Sequence, residues 1–140
     1  MTHFLKVYAA TTAVFLSLDF AWLGVLMSGF YRTELGAFAR RSGTTLAPIW
    51  WAAAVVYLII PIGIVLFVVP KAMPGSLPVI LFWGFVFGAI VYGVYDFTNY
   101  STLDNWSLRL ALVDTVWGGT VCALSAAAGA WMWRSGIQSR

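Results

Sequence analysis

Cysteine and histidine are nearly missing from this chain, with one of each in 140 residues. A single cysteine excludes an intrachain disulfide. Cys122 lies among small apolar residues, where a thiol is inert and packs as a small hydrophobe. His3 sits in the N-terminal tail. With no His or Cys cluster, a zinc, copper or iron–sulfur centre is not expected; carboxylates and amides leave a hard cation open. Charge is scarce too. Only 9% of the residues are charged, against about a quarter in a soluble domain. The net charge of +3 comes from scattered basic residues, which excludes a nucleic-acid-binding face. The chain has no Ser–His–Asp set, Cys–His pair, zinc signature or phosphate loop, so no named reaction and no cofactor is indicated.

What the chain has is apolar length: 61% of it is hydrophobic and 17% aromatic. Four stretches, Phe4–Met27, Ala47–Val69, Leu77–Tyr100 and Trp106–Trp133, reach the roughly 20 residues needed to cross a hydrocarbon core of about 30 Å. In lipid such stretches satisfy their backbone groups only as helices. The first is too long for a signal-peptide core, contains Asp19 and ends in no clear cleavage pattern, so it reads as a retained helix. The links around Pro70–Ser76 and Ser101–Asn105 are short, which makes sequential helices antiparallel neighbours. The expected fold is therefore an all-α, four-helix transmembrane bundle, a single integral membrane domain over residues 1–140. In the longest link, Ser28–Leu46, residues Tyr31, Leu35 and Phe38 fall at helical spacing among Arg32, Glu34, Arg40 and Arg41. That pattern predicts a short amphipathic interfacial helix between helices one and two, with a surface loop as the alternative. Pro61 and Gly63 predict a kink in the second span. Lys6, Lys71, Arg134 and Arg140 on one side balance Arg32, Arg40, Arg41 and Arg109 on the other, so the positive-inside count is tied. The basic tail and the Lys71 link favour cytoplasmic termini.

Against this background Asp19, Asp96 and Asp114 stand out. A carboxylate at mid-bilayer costs about 2.5–3.5 kcal/mol on insertion scales. Asp19 and Asp114 share a frame, Leu18-Asp19-Phe-Ala-Trp22-Leu-Gly24 and Val113-Asp114-Thr-Val-Trp117-Gly-Gly119. Threaded on antiparallel helices, the two lie roughly 12 Å from the same membrane face. Asp96 falls about 6 Å nearer the surface, as an entry group. Asp19 and Trp22 share a helical face, as do Asp114 and Trp117. If those faces meet, Asp19 accepts a hydrogen bond from the Trp117 indole and Asp114 one from Trp22. Tyr92, Tyr95, Asn99 and Arg109 gather at the same level. Either a proton shared between carboxylates or pairing with Arg109 would balance the charge. Gly84, Gly88, Tyr92 and Asp96 step by four on the third span, and Gly118, Cys122, Ala126 and Ala130 on the fourth. Such rows let another backbone approach closely and offer faces to a second copy or a membrane partner.

Two segments carry a resemblance to a known family. The first is Leu18-Asp19-Phe-Ala-Trp22-Leu-Gly24 with Phe30-Tyr31 and Leu35-Gly36. The second is Tyr92-Gly93-Val-Tyr95-Asp96-Phe-Thr98-Asn99 with Ser101-Thr102-Leu103, Trp106 and Asp114-Thr-Val-Trp117-Gly118. Together they resemble a bacterial family of predicted membrane proteins, domain of unknown function 2177, over nearly the whole chain. The chain departs from the family where proline often follows the Trp106 position; Ser107 stands there and puts the entry into the fourth helix in question. The resemblance implies a four-helix protein of the bacterial cytoplasmic membrane and no defined activity.

The residues themselves favour a binding or transport site. Asp19, Asp96 and Asp114 would hold a small cation, a proton or a polar lipid head group, walled by Trp22, Trp117, Tyr92 and Tyr95. Membrane lipid is the expected partner. A lipid-modifying enzyme using paired carboxylates as acid and base, and a scaffold protein whose aspartates are interhelical glue, are the alternatives.

Overall fold

The structure, a computed structural model, describes residues 2–43 and 45–138. Six α-helices run in the order α1 (Thr2–Ala21), α2 (Ser28–Leu35), α3 (Trp50–Gly63), α4 (Val69–Ala72), α5 (Leu77–Thr102) and α6 (Leu108–Gln138). A π-helical turn, Trp22–Leu26, extends α1, and a second, Ile64–Val68, joins α3 to α4. Four continuous segments result, His3–Leu26, Trp50–Ala72, Leu77–Thr102 and Leu108–Gly136, each long and apolar enough to cross a membrane. The all-α four-helix bundle expected from the apolar stretches is the observed fold.

Segment ends shift by a few residues for local reasons. The second span begins at Trp50 because Ile49, after Pro48, is extended. It then runs on through Pro70 to Ala72, with Pro70 near the segment's end, just after the π turn. Ser107 resolves the entry into α6: its hydroxyl accepts the Leu110 N–H at 3.2 Å, the cap that a free helix start requires. His3 is not in a free tail but in the first turn of α1, its ring 5.3 Å from that of Trp133. The predicted site of the Arg140 charge lies outside the described residues.

The bundle is built on α5 and α6. A Cβ placed on Gly84 would meet the Ala123 Cα at 2.6 Å, and one on Gly88 would strike the Gly118 carbonyl. The two small-residue rows therefore lie against each other within one chain, backbone to backbone. Cys122 and Ala126 are fully buried between them. The faces expected to receive a partner are occupied by this contact. Against α6 also lies α1, where Gly129 makes room for the Thr11 hydroxyl. On the terminal side, Lys71 sits 4.2 Å from the Trp83 ring centroid and Arg134 donates to the Gly75 carbonyl.

The second span behaves differently along its length. Its later part, Ile64–Val68 and Val69–Ala72, packs on α1, α5 and α6, while α3 packs chiefly on α1. The change falls at Pro61 and Gly63, where the helix passes into the π turn and Gly63 accepts the Phe87 ring edge. A π turn shifts the direction in which following side chains point. Before that turn, α3 stands off the second half of α5 and leaves a lateral gap between Val56, Ile59 and Ile60 on one side and Val91, Tyr92 and Tyr95 on the other.

The long link forms α2, a 3-10 turn at Gly36–Phe38 and a two-residue antiparallel ladder pairing Arg41 with Leu46 and Ser42 with Thr45. The short interfacial helix is present, with Arg32, Thr33 and Gly29 on its exposed side. Its apolar face does more than float at the interface, because Tyr31 is only 5% exposed and reaches into the bundle.

Candidate functional site

The end of the bundle opposite the termini holds the polar groups. Asp19 is buried near the end of α1. One of its carboxylate oxygens accepts the Trp117 indole N–H at 2.9 Å and the other accepts the Tyr57 hydroxyl at 2.9 Å. The first of these bonds is the one predicted from the repeated Asp–Trp frame. The second brings in α3, which carries no acidic, basic or histidine side chain and gave no polar signal except its tyrosine.

Asp114 lies on α6. The mirror-image bond from Trp22 does not form directly. The Trp22 indole donates to the Tyr31 hydroxyl at 3.0 Å, and that hydroxyl donates to Asp114. Burial, and then the adjacent Asp114 carboxylate, push the Tyr31 hydroxyl above its ordinary range, so it stays protonated and keeps donating. The two indoles meet face to face, with centroids 4.2 Å apart and planes 4° from parallel. Stacking adds roughly 0.5–1.5 kcal/mol beyond area burial and locks both donors. Trp22 and Trp117 therefore position the carboxylates from behind, and neither lines any of the three cavities that meet at Asp114.

Asp96 completes the cluster from α5. It is fully buried, so it is not open to solvent as an entry group would be. It lies beside Asp114 and faces the Trp106 indole. Both Asp96 oxygens and the Trp106 Nε1 are nonetheless buried without a hydrogen-bond partner. Two ionised carboxylates are acceptors only, so they bond to each other only through a proton or another donor. Unpaired buried polar atoms cost about 1–3 kcal/mol each, a cost that a proton shared between Asp96 and Asp114 removes for the carboxyl groups.

Arg109 does not neutralise the cluster. It is exposed, sits 3.5 Å from Glu34 and lies over the Phe30 ring at 5.2 Å. Glu34, one turn beyond Tyr31 on α2, takes up the charge that the sequence had offered to an aspartate. Asn99 turns towards Tyr95 and does not face the carboxylates, and its carbonyl accepts the Leu103 N–H that ends α5. Among the described residues, no basic side chain shares a hydrogen bond or an ion pair with Asp19, Asp96 or Asp114. No group of three His, Cys, Asp or Glu side chains among them is arranged to hold a metal ion.

Three cavities meet at Asp114. The largest, about 470 Å³, has Val56, Ile59, Ile60 and Val91 as apolar walls and Tyr92, Tyr95 and Asp114 at its polar end. A second, about 240 Å³, runs beneath α2 between Tyr31, Trp106 and Asp114. The third, about 230 Å³, joins Asp19, Tyr57, Tyr92 and Asp114. Val56 and Ile59 are 51% and 59% exposed, so the large cavity opens on the side of the bundle through the gap between α3 and α5.

The structure thus brings together Asp19, Asp96, Asp114, Tyr92 and Tyr95, sets Trp22 and Trp117 behind them, and leaves Arg109 and Asn99 aside. Tyr31, Tyr57 and Trp106 belong to the site and were not among the residues read as its members. Tyr31 carried a usable signal, being the one aromatic in the apolar stripe of the link able to donate.

No curated protein and no solved structure matches the chain. A family model does, over residues 4–131, described as predicted membrane protein. That span includes every residue of the cluster and most of each of the four apolar helices, and the chain accordingly belongs to the DUF2177 family of predicted membrane proteins.

Proposed function

We propose that this protein binds, and moves or presents, a cationic group at the Asp19–Asp114–Asp96 cluster. One observation carries the reading. Asp114 lines all three cavities and Asp19 one of them, Asp96 lies buried beside Asp114, and no basic side chain among the described residues shares a hydrogen bond or an ion pair with the three. Buried charges are ordinarily paired, and intramembrane carboxylates without a partner mark ion or substrate sites. The candidates are a small cation, a proton or a polar lipid head group. The absence of a three-ligand metal arrangement among the described residues favours an organic ammonium over a hard metal ion. Tyr92 and Tyr95 at the cavity's polar end add ring faces suited to a cation. Interhelical glue alone does not account for the cluster, because glue is packed away between helices and Asp114 lines three cavities. We place the protein in the bacterial cytoplasmic membrane with both termini inside, and a reporter fused after Arg140 checks that side.

The test is ligand-induced stabilisation of the purified protein in non-ionic detergent. Alkylammonium ions should raise the unfolding temperature of the wild type in a saturable way, as any ligand of the folded state does. Asp114→Asn should abolish the effect, and Asp19→Asn and Asp96→Asn should reduce it. Equal stabilisation of all four proteins would remove the carboxylates from the account and leave a scaffold role.

A further inference from the structure

Resting on that reading, we propose that the occupant is a single-chain amphiphile with an ammonium head and no anionic group, admitted sideways from the lipid layer between α3 and α5. The cavity fixes the tail. Its volume of about 470 Å³ falls within the range of about 300–1,000 Å³ that encloses most of a small organic ligand. Its walls are branched aliphatic side chains, and only the Asp114 end is charged. A hydrated metal ion or a free proton needs no such apolar chamber.

The mouth fixes the route. Val56 and Ile59 lie six and nine residues into the second span, or roughly 9 and 14 Å along the helix from Trp50. Trp50 and Trp51 are largely exposed at the helix start, where indoles mark the head-group layer. The opening is therefore below that layer, facing acyl chains. A lipid-borne molecule reaches it without crossing water, its tail lying among Val56, Ile59 and Val91 and its head against Asp114.

The head is fixed by what surrounds it. A zwitterionic phosphate head would bring an anion that needs a basic partner, and none lines any of the three cavities. A lone ammonium meets Asp114, the one charged group lining the large cavity, while the hydroxyl-bearing Tyr92 and Tyr95 sit beside it. One carboxylate at the end of an otherwise uncharged chamber is matched by a single-charge head with N–H donors.

The experiment compares dodecylammonium with methylammonium on the full-length protein in non-ionic detergent, with laurate and dodecylphosphocholine as tail-matched controls. Dodecylammonium should bind at least about tenfold more tightly than methylammonium; neither control should compete. Val56→Trp, which fills the mouth from a half-exposed position, should weaken dodecylammonium about tenfold and leave methylammonium unchanged. Val55→Trp, on the same turn but off the cavity, should change neither. If methylammonium binds as tightly, if Val56→Trp has no effect, or if dodecylphosphocholine competes, the lateral amphiphile is refuted while the carboxylate site stands. If Asp114→Asn binds both amines like the wild type, the carboxylate reading itself falls, and this inference with it.

Discussion

Tyr31→Phe removes a single oxygen and with it two hydrogen bonds. The Tyr31 hydroxyl accepts from Trp22 and donates to Asp114, and it is the only bridge between α2, the end of α1 and α6 that these groups make. Interhelical hydrogen bonds in membrane proteins average about 0.6 kcal/mol with a ceiling near 1.7, so the pair is worth roughly 1.2 kcal/mol at the low end. Leaving the Trp22 indole and one Asp114 oxygen unpaired in a site where Tyr31 is 5% exposed adds part of the usual unsatisfied-group cost of about 1–3 kcal/mol. The expected loss is about 1–3 kcal/mol in reversible unfolding from mixed micelles. Trp22→Phe should cost a similar amount, and the double variant less than the sum, with a coupling of at least about 0.5 kcal/mol. The pH dependence follows from the raised hydroxyl of Tyr31. A group held neutral in the fold contributes its stability in full below its unfolded value, about 10, and loses it only as pH rises beyond that. The difference between wild type and Tyr31→Phe should therefore stay constant from neutral pH to about 9. A Tyr31→Phe protein within about 0.3 kcal/mol of wild type, or strict additivity with Trp22→Phe, would refute the bridge.

Gly88→Ala should destabilise by about 1–3 kcal/mol or prevent folding, because the new methyl meets the Gly118 carbonyl and neither backbone can yield; Gly24→Ala, with nothing within 4 Å of the added carbon, should fold normally by the same unfolding measurement. Arg109→Gln should leave alkylammonium binding within about twofold of wild type, since its partner is Glu34 at the surface; a loss of binding of tenfold or more would put it back among the carboxylates. Ser107→Ala should cost about 0.5–2 kcal/mol through the lost cap on α6, and Ser107→Asp should recover most of it.

Much of the architecture was legible because a membrane leaves few choices. Length and apolarity alone set four helices, and short links set their directions. Depth was legible as well: counting residues put Asp19 and Asp114 at one level, and a shared Asp–Trp spacing anticipated the Trp117–Asp19 bond. Rotation about each helix axis was less legible. The third span's glycine row and the fourth span's small-residue row were visible as close-approach surfaces, but periodicity does not say whether such a surface meets another chain or its own neighbour. Tyr57 lies on a span that is apolar all round, so no polar stripe marked its inward face. Tyr31 sits in the link, where reading an amphipathic pattern places an aromatic at the interface; only the packing of α2 against α6 turns its hydroxyl inward. Arg109 looked like a counter-ion because threading puts it at the same membrane face as the aspartates. Glu34, distant in sequence, takes it instead, and that leaves the three carboxylates without a basic partner among the described residues.

The most direct test of the shared site is an indole N–H titration by nuclear magnetic resonance with dodecylammonium. The chain has eight tryptophans, and Trp22, Trp106 and Trp117 surround the carboxylates while Trp50, Trp51 and Trp131 are largely exposed. The resonances of Trp22, Trp106 and Trp117 should shift together and saturate with one affinity, while the exposed indoles report only detergent partition. Site resonances that stay still, or that move with separate affinities, would contradict a single cation site shared by Asp19, Asp96 and Asp114.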